Sequence, residues 1–261
     1  MLEISAAIIT LNAGETIRKT LAALDFTAEI VVVDSGSTDR TLDICREYGA
    51  RIYSRDWEGF GRQKNWAIEQ ARCTWVLSLD ADEEVSAELA REIRELDEAA
   101  PYDGYRLPRL NHYFGRPLYH GGQYPDLQLR LFRKGRGRYN ERPVHEAVIL
   151  EGRAGRLKGN LLHYSYGSIA EYLEKFQRYT RLEAERLHAE GERPGALGCL
   201  RRMVLAPCAK FIRRYIFKRG FLDGMPGFLA AALSSFTMIV SYARLWEKYQ
   251  PGPAGPQRPD R

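Results

Sequence analysis

The segment Thr74-Trp75-Val76-Leu77-Ser78-Leu79-Asp80-Ala81-Asp82-Glu83 ends an apolar run of strand character in two carboxylates spaced two apart. In an extended chain residues i and i+2 share a face, so Asp80 and Asp82 are expected to converge on one hard divalent ion while the apolar residues before them stay buried. Mg²⁺ takes one or two carboxylates and keeps phosphate oxygens among its remaining ligands, which suits a nucleotide diphosphate. An isolated D-x-D pair is more often a solvated turn, so the surrounding elements decide its meaning.

A further carboxylate comes from Val31-Val32-Val33-Asp34-Ser35-Gly36-Ser37-Thr38-Asp39, where Asp34 closes a strand before a glycine turn into a helix. Parallel sheets bind ligands outside the carboxyl ends of their strands, so Asp34 and the Asp80/Asp82 pair are expected at one crevice. A plain turn or capping role for Asp34 is the alternative.

The elements that must position these groups are legible as alternation. Residues 4–11, 29–33 and 75–79 are continuous apolar runs, the pattern of parallel strands covered on both faces. Residues 15–24, 41–48 and 63–71 have helical spacing, and 86–99 forms a helix with Ser86 as N-cap and Glu83, Glu84 and Glu88 near its positive end. The fold class is therefore α/β, a Rossmann-like, mainly parallel but mixed sheet with helices on both faces. Strands at 105–110, 127–133 and 157–164 follow, and Ser168-Ile169-Ala170-Glu171 is a capping box opening a long charged helix to Glu190.

From Gly191 the sequence changes character. The net charge of +5 and pI near 9.0 conceal an asymmetry, because no Asp or Glu occurs between Pro194 and Leu222. Lys210, Arg214 and Lys218 recur at i+4 beside Phe211, Ile212, Tyr215 and Ile216, which predicts a basic amphipathic helix, broken near Pro207, of the kind anionic membrane surfaces attract. Residues 224–243 are uncharged, but Pro226, Gly227 and several hydroxyls favour lying in the interface over spanning it. The expected domains are 1–190, the catalytic α/β unit, 191–249, the helical membrane-association region, and 250–261, a disordered tail. Cys45, Cys73, Cys199 and Cys208 lack metal-site spacing and are expected as free thiols in a reducing compartment, and the N-terminus shows no leader pattern, so a cytoplasmic location is expected.

Together, Thr10-Leu11-Asn12, Asp34 and Asp80-Ala81-Asp82 resemble the nucleotide-sugar half of glycosyltransferase family 2, with its GT-A fold. The resemblance implies that Thr10, Asn12 and Asp34 hold the nucleoside, that Lys64 of Gly61-Arg62-Gln63-Lys64-Asn65 approaches the diphosphate, and that Asp80 and Asp82 bind donor and metal, Mg²⁺ or Mn²⁺. For Lys64 a solvated surface role is the alternative. Tyr124-Pro125-Asp126, Leu129-Arg130-Leu131-Phe132, Arg142-Pro143-Val144-His145-Glu146 and Lys218-Arg219-Gly220-Phe221-Leu222-Asp223-Gly224 narrow the likeness to the lipopolysaccharide inner-core β-glucosyltransferase branch.

That branch implies metal-dependent inverting transfer of a hexose, glucose from UDP-glucose, to a heptose of the inner core. Glu146 would be the base and Asp126 its reserve, with an ion pair to Arg130 or Arg142 as the other reading of Glu146; His145 is a neighbour that orients or is structural. Implied partners are a UDP-sugar donor, an anionic glycolipid acceptor and the cytoplasmic face of the inner membrane, with no nucleic acid and the oligomeric state open. Transfer to a polyprenyl phosphate is the enzymatic alternative, and a non-catalytic nucleotide-sugar-binding membrane protein the other. A nucleotidyltransferase is disfavoured because residues 10–20 hold no glycine-rich basic loop.

Overall fold

The computed structural model describes residues 2–141 and 146–250. Arg142, Pro143, Val144 and His145, and all of the expected tail beyond Gln250, lie outside the described residues. Two compact units emerge, Met1–His112 with Tyr124–Ser165, and Tyr113–Gln123 with Tyr166–Arg261.

The first unit begins β1 (Ile4–Thr10), α1 (Ile17–Ala22), β2 (Glu29–Asp34), α2 (Thr41–Glu47), β3 (Arg51–Ser54), α3 (Phe60–Gln70) and β4 (Trp75–Asp80). It continues through β5 (Glu83–Val85), α4 (Ala87–Arg94) and β6 (Gly104–Tyr113). Past Tyr113–Gln123, which belongs to the second unit and holds the two-residue β7 (Arg116–Pro117), come β8 (Asp126–Arg133), β9 (Gly137–Tyr139), β10 (Val148–Leu150), β11 (Ala154–Arg156) and β12 (Leu161–Tyr166). The main sheet has the order β3-β2-β1-β4-β8-β6-β12-β5, with β1 to β4 parallel and β8 antiparallel to both its neighbours.

Every residue of β1 is buried because β1 lies between β2 and β4 with cover on both faces. Alternation then divides the core. Ile4, Ala6 and Ile8 pack with Val32, Leu77, Leu79, Ile17 and Leu21, while Ala7 and Ile9 pack with Val33, Val76, Ala67 and Ile68. The parallel register sets Thr10 beside Asp34 and Ile9 beside Asp80, so the polar residues emerge together only where the strands end. Ser86 caps α4 by accepting from the Leu89 N–H at 3.2 Å, as expected.

Glu83 and Glu84, expected near the positive end of the helix that Ser86 opens, directly precede that cap as a strand. They form β5 with Val85, Glu83 is fully buried, and Glu84 accepts from the Tyr164 hydroxyl at 2.7 Å.

The second unit contains α5 (Ile169–Ala189), α6 (Ala196–Leu200), α7 (Ala206–Ile212) and α8 (Gly224–Lys248). Ser168 accepts from the Glu171 N–H, and the Glu171 carboxylate accepts from the Gly167 N–H, so the capping box forms with its return bond one residue early. Phe176 stacks on Phe236 at 5.5 Å, and Ala184 and Leu187 of α5 pack with Tyr242 and Leu245 of α8.

The expected break near Pro207 does not occur. Helical structure runs from Ala196 to Phe217, with wide π turns at Arg201–Leu205 and Arg213–Phe217. The Ala206 N–H bonds to the Arg201 carbonyl, shifting the register just before the residue that has no N–H to give. The helical stretch Gly220–Lys248 is long and apolar enough to cross a membrane by length and composition. Phe217 just before it and Leu222 and Met225 within it are exposed.

Candidate active site

The ends of β1, β2 and β4 set out the site, and the turns after them are stitched to one another. The Asp34 carboxylate accepts from the N–H groups of Gly36 and Ser37 at 2.9 and 2.8 Å and from the Ser37 hydroxyl. That is a turn-forming arrangement, and Asp34 is only 2% exposed. Asn12, with φ of 48°, donates its N–H to Ser37 Oγ and accepts from the Thr38 N–H through Oδ1, both at 2.8 Å. Asp39 completes the stitch by accepting from the Gly14 N–H at 2.9 Å. Thr10 Oγ1 is buried with no hydrogen-bond partner among the described residues.

Asp80 and Asp82 face different partners. The chain turns at Ala81–Asp82, so the pair does not continue along one extended face. Asp80 Oδ1 lies 2.8 Å from Lys64 Nζ, and its Oδ2 accepts from Arg130 Nη2 at 2.7 Å. Burial alone would raise the Asp80 carboxyl, but Lys64 first and then Arg130 hold it far below the ordinary carboxylate range.

Lys64 is 2% exposed and not solvated; its Nζ also donates to Glu146 Oε1 at 2.8 Å. Burial pulls its ammonium down, and Asp80, with Tyr139 and Glu146, more than restores it. The ion pair of Glu146 is therefore with Lys64 among the described residues, and Arg130 serves Asp80, Glu83 and the Tyr139 hydroxyl instead. Lys64 is carried on α3, while the neighbouring Asn65 side chain exchanges two hydrogen bonds with the Tyr139 backbone at 2.9 and 2.8 Å, holding β9 against that helix.

Asp126 sits at the start of β8, where Arg109 grips its Oδ2 through Nε and Nη2 at 2.9 and 2.6 Å and Gln128 donates to Oδ1. Glu83 joins the same network through Arg130 and, at 3.4 Å, Arg109. Arg109 and the buried Glu83 were not singled out as site residues, because each owes its place to partners far away in sequence.

His163 is also new. Its Nε2 lies 3.6 Å from Asp82 Oδ2, and its Nδ1 lies 2.7 Å from Asn111 Oδ1 and 3.0 Å from Ser165 Oγ. Asn111 Oδ1 accepts only, so Nδ1 donates to it, and that bond holds the ring with Nε2 toward the Asp82 carboxylate. An imidazole nitrogen and a carboxylate so placed form an ion pair when the ring is charged and two ligands for a divalent ion when it is neutral. The alternation Leu161-His163-Ser165 on one strand face was the available signal. Among the described residues no cluster of three or more His, Cys, Asp or Glu is of metal-binding type.

Residues 5–159 match the family model described as glycosyl transferase family 2. The chain belongs to that family. It is 30% identical over 256 residues to the lipopolysaccharide core biosynthesis glycosyltransferase LpsC of Rhizobium meliloti (strain 1021), covering 95% of this chain and 93% of that protein. An uncharacterized glycosyltransferase of Rickettsia prowazekii (strain Madrid E) is 28% identical, covering 94% of this chain and 87% of the relative. A solved mannosyltransferase of Pyrobaculum calidifontis, in complex with GDP-Man and Mn²⁺, shares the fold with a TM-score of 0.53 at 13% identity, over 95% of this chain and 88% of that one. This family 2 glycosyltransferase thus has the expected GT-A α/β fold.

Proposed function

We propose that this family 2 glycosyltransferase transfers glucose from UDP-glucose, with inversion, to a heptose of the lipopolysaccharide inner core. The observation that carries the mechanism is the tie from Lys64 Nζ to Asp80 and to Glu146 at 2.8 Å each. It holds a carboxylate beside the strand ends with only one oxygen engaged by Lys64. The acceptor hydroxyl oxygen attacks the anomeric carbon, the bond from that carbon to the diphosphate breaks, and the proton passes to Glu146. Asp126, gripped by Arg109 and Gln128, is less free to take it.

Thr10 and the turn shaped by Asn12 and Asp34 receive the nucleoside. Asp82 and His163 would hold a divalent ion, which when bound supplies positive charge to the departing diphosphate. Asn111 keeps His163 Nε2 turned toward that position. The acceptor assignment is supported by the likeness to LpsC along nearly the whole chain. The basic and apolar second unit suits a peripheral position on the cytoplasmic face of the inner membrane, where such a glycolipid is presented.

Product masses after incubation with UDP-glucose and Mn²⁺ or Mg²⁺, offering heptose-bearing core lipid and polyprenyl phosphate in parallel, test the reading. One hexose added to the core lipid alone is expected. Addition to polyprenyl phosphate instead would replace the acceptor assignment. In the same assay His163→Ala is expected to raise the metal concentration for half-maximal turnover by at least about tenfold, and an unchanged requirement would remove His163 from the metal site.

A further inference from the structure

In the second unit two basic side chains converge on a pair of glycines. Arg214 donates Nε to the Gly121 carbonyl at 3.2 Å. Lys218 accepts at its carbonyl from the Gly121 N–H at 2.8 Å, and its side chain folds back so that a Cβ on Gly122 would lie 2.7 Å from Nζ. Gly121 and Gly122 have φ of 66° and 70°, a left-handed pair that lets the backbone lie flat against this turn. Gly220 packs against the same loop, with its own Cβ position 3.4 Å from the Gly121 Cα.

The nearby acid does not neutralise these cations. Asp223, with a side chain 4% exposed, accepts from the His120 N–H at 2.8 Å and faces His120 Nδ1 at 2.7 Å, so each carboxylate oxygen is engaged by His120. Among the described residues no carboxylate pairs with Arg214 or Lys218, and the sequence has no acid from Pro194 to Leu222. Arg214 is half-buried, and burial, the largest influence on it, pulls its guanidinium below the ordinary range. A desolvated guanidinium without a counter-charge destabilises the fold unless an anion completes it.

We propose that Arg214 and Lys218, set around Gly121–Gly122, form a seat for the phosphate monoester of an anionic lipid headgroup. This rests on the membrane-surface reading above and gives it a stereochemical site. A fork-shaped guanidinium and an ammonium together match a doubly charged monoester better than a singly charged diester. The lipid source follows from the flanking residues, because Phe217, Leu222 and Met225, close to Lys218 in sequence, are 77, 55 and 67% exposed. Bulky apolar groups beside cations suit a bilayer interface, where the apolar chains enter and the headgroup meets the charge.

Vesicle sedimentation of the full chain tests this, with phosphatidic acid or phosphatidylglycerol vesicles matched for surface potential. Wild type is expected to bind the phosphatidic acid vesicles about fivefold more tightly, the effect of about one additional charge contact at the surface. Lys218→Gln, on an exposed side chain, and Arg214→Gln should bring the two lipids to equality. Arg213→Gln, the same charge change on an exposed neighbour, should weaken both in proportion and keep the preference. Equal binding of the two lipids by wild type, or loss of the preference in Arg213→Gln, would each overturn the seat while leaving the membrane reading standing. Failure to bind any anionic vesicle would end both.

Discussion

At the residue scale the site is organised by Lys64. A buried ammonium joins one carboxylate from the end of β4 to another from the segment before β10, so removing it takes the Lys64 partner from Glu146 and leaves Asp80 with Arg130. Lys64→Met is expected to cost about 3–5 kcal/mol of stability, as breaking a buried pair does. The sign of the pH dependence follows from the two shifts. Asp80 lies below its ordinary 3.8 when folded, so its contribution is present above that value and is lost as pH falls through the folded value. Lys64 lies above its ordinary 10.5, so its contribution is full below that value and is lost as pH rises through the folded value. Urea unfolding across pH should therefore show a plateau between these limits in wild type, with the alkaline flank from Lys64 absent in Lys64→Met and the acid flank reduced to the part that Arg130 supplies. An identical profile in the two proteins would contradict the tie.

At the scale of elements, α3 must approach the chain before β10 closely enough for Lys64 to reach Glu146. Gly61 permits it, since a Cβ there would lie 2.1 Å from the Asn140 carbonyl oxygen. Gly61→Ala is expected to lose about 1–3 kcal/mol through overpacking and to lower kcat as Lys64 shifts; thermal melting and steady-state rates that match wild type would argue against this coupling. Much of this layer was legible in the sequence. The buried strands β1, β2 and β4 announce themselves as apolar runs closing in polar residues, and Ser86 and Ser168 mark their helices. β3 was not anticipated, because an edge strand reading Arg-Ile-Tyr-Ser carries no continuous apolar signal. β5 carries no strand signal of its own beside the start of α4, because the burial of Glu83 depends on Arg130 and Arg109, which β8 and β6 deliver from far along the chain. The same holds for His163, whose facing carboxylate is known only once β12 is placed beside β5.

At the scale of the whole molecule, charge and apolar exposure are unevenly distributed. The chain carries +5 overall, yet its basic residues from Arg201 to Arg219 have no acid among them in sequence. Attraction of that region to anionic lipid is screened within about a Debye length, roughly 8 Å at physiological ionic strength. Flotation with anionic vesicles is expected to show association that weakens steeply as salt is raised, with a residue of binding from Phe217, Leu222 and Met225. Salt-independent binding would mean that apolar insertion dominates, and neutral vesicles would then bind equally well.

The rate of hexose transfer to core glycolipid by Glu146→Gln relative to wild type tests the mechanism most directly. The amide keeps the acceptor oxygen that Lys64 needs but takes up no proton, so a loss of about 10²–10⁴-fold in kcat is expected, with UDP-glucose affinity and melting temperature near those of wild type. Near-wild-type turnover in this variant would contradict Glu146 as the base and return that role to Asp126.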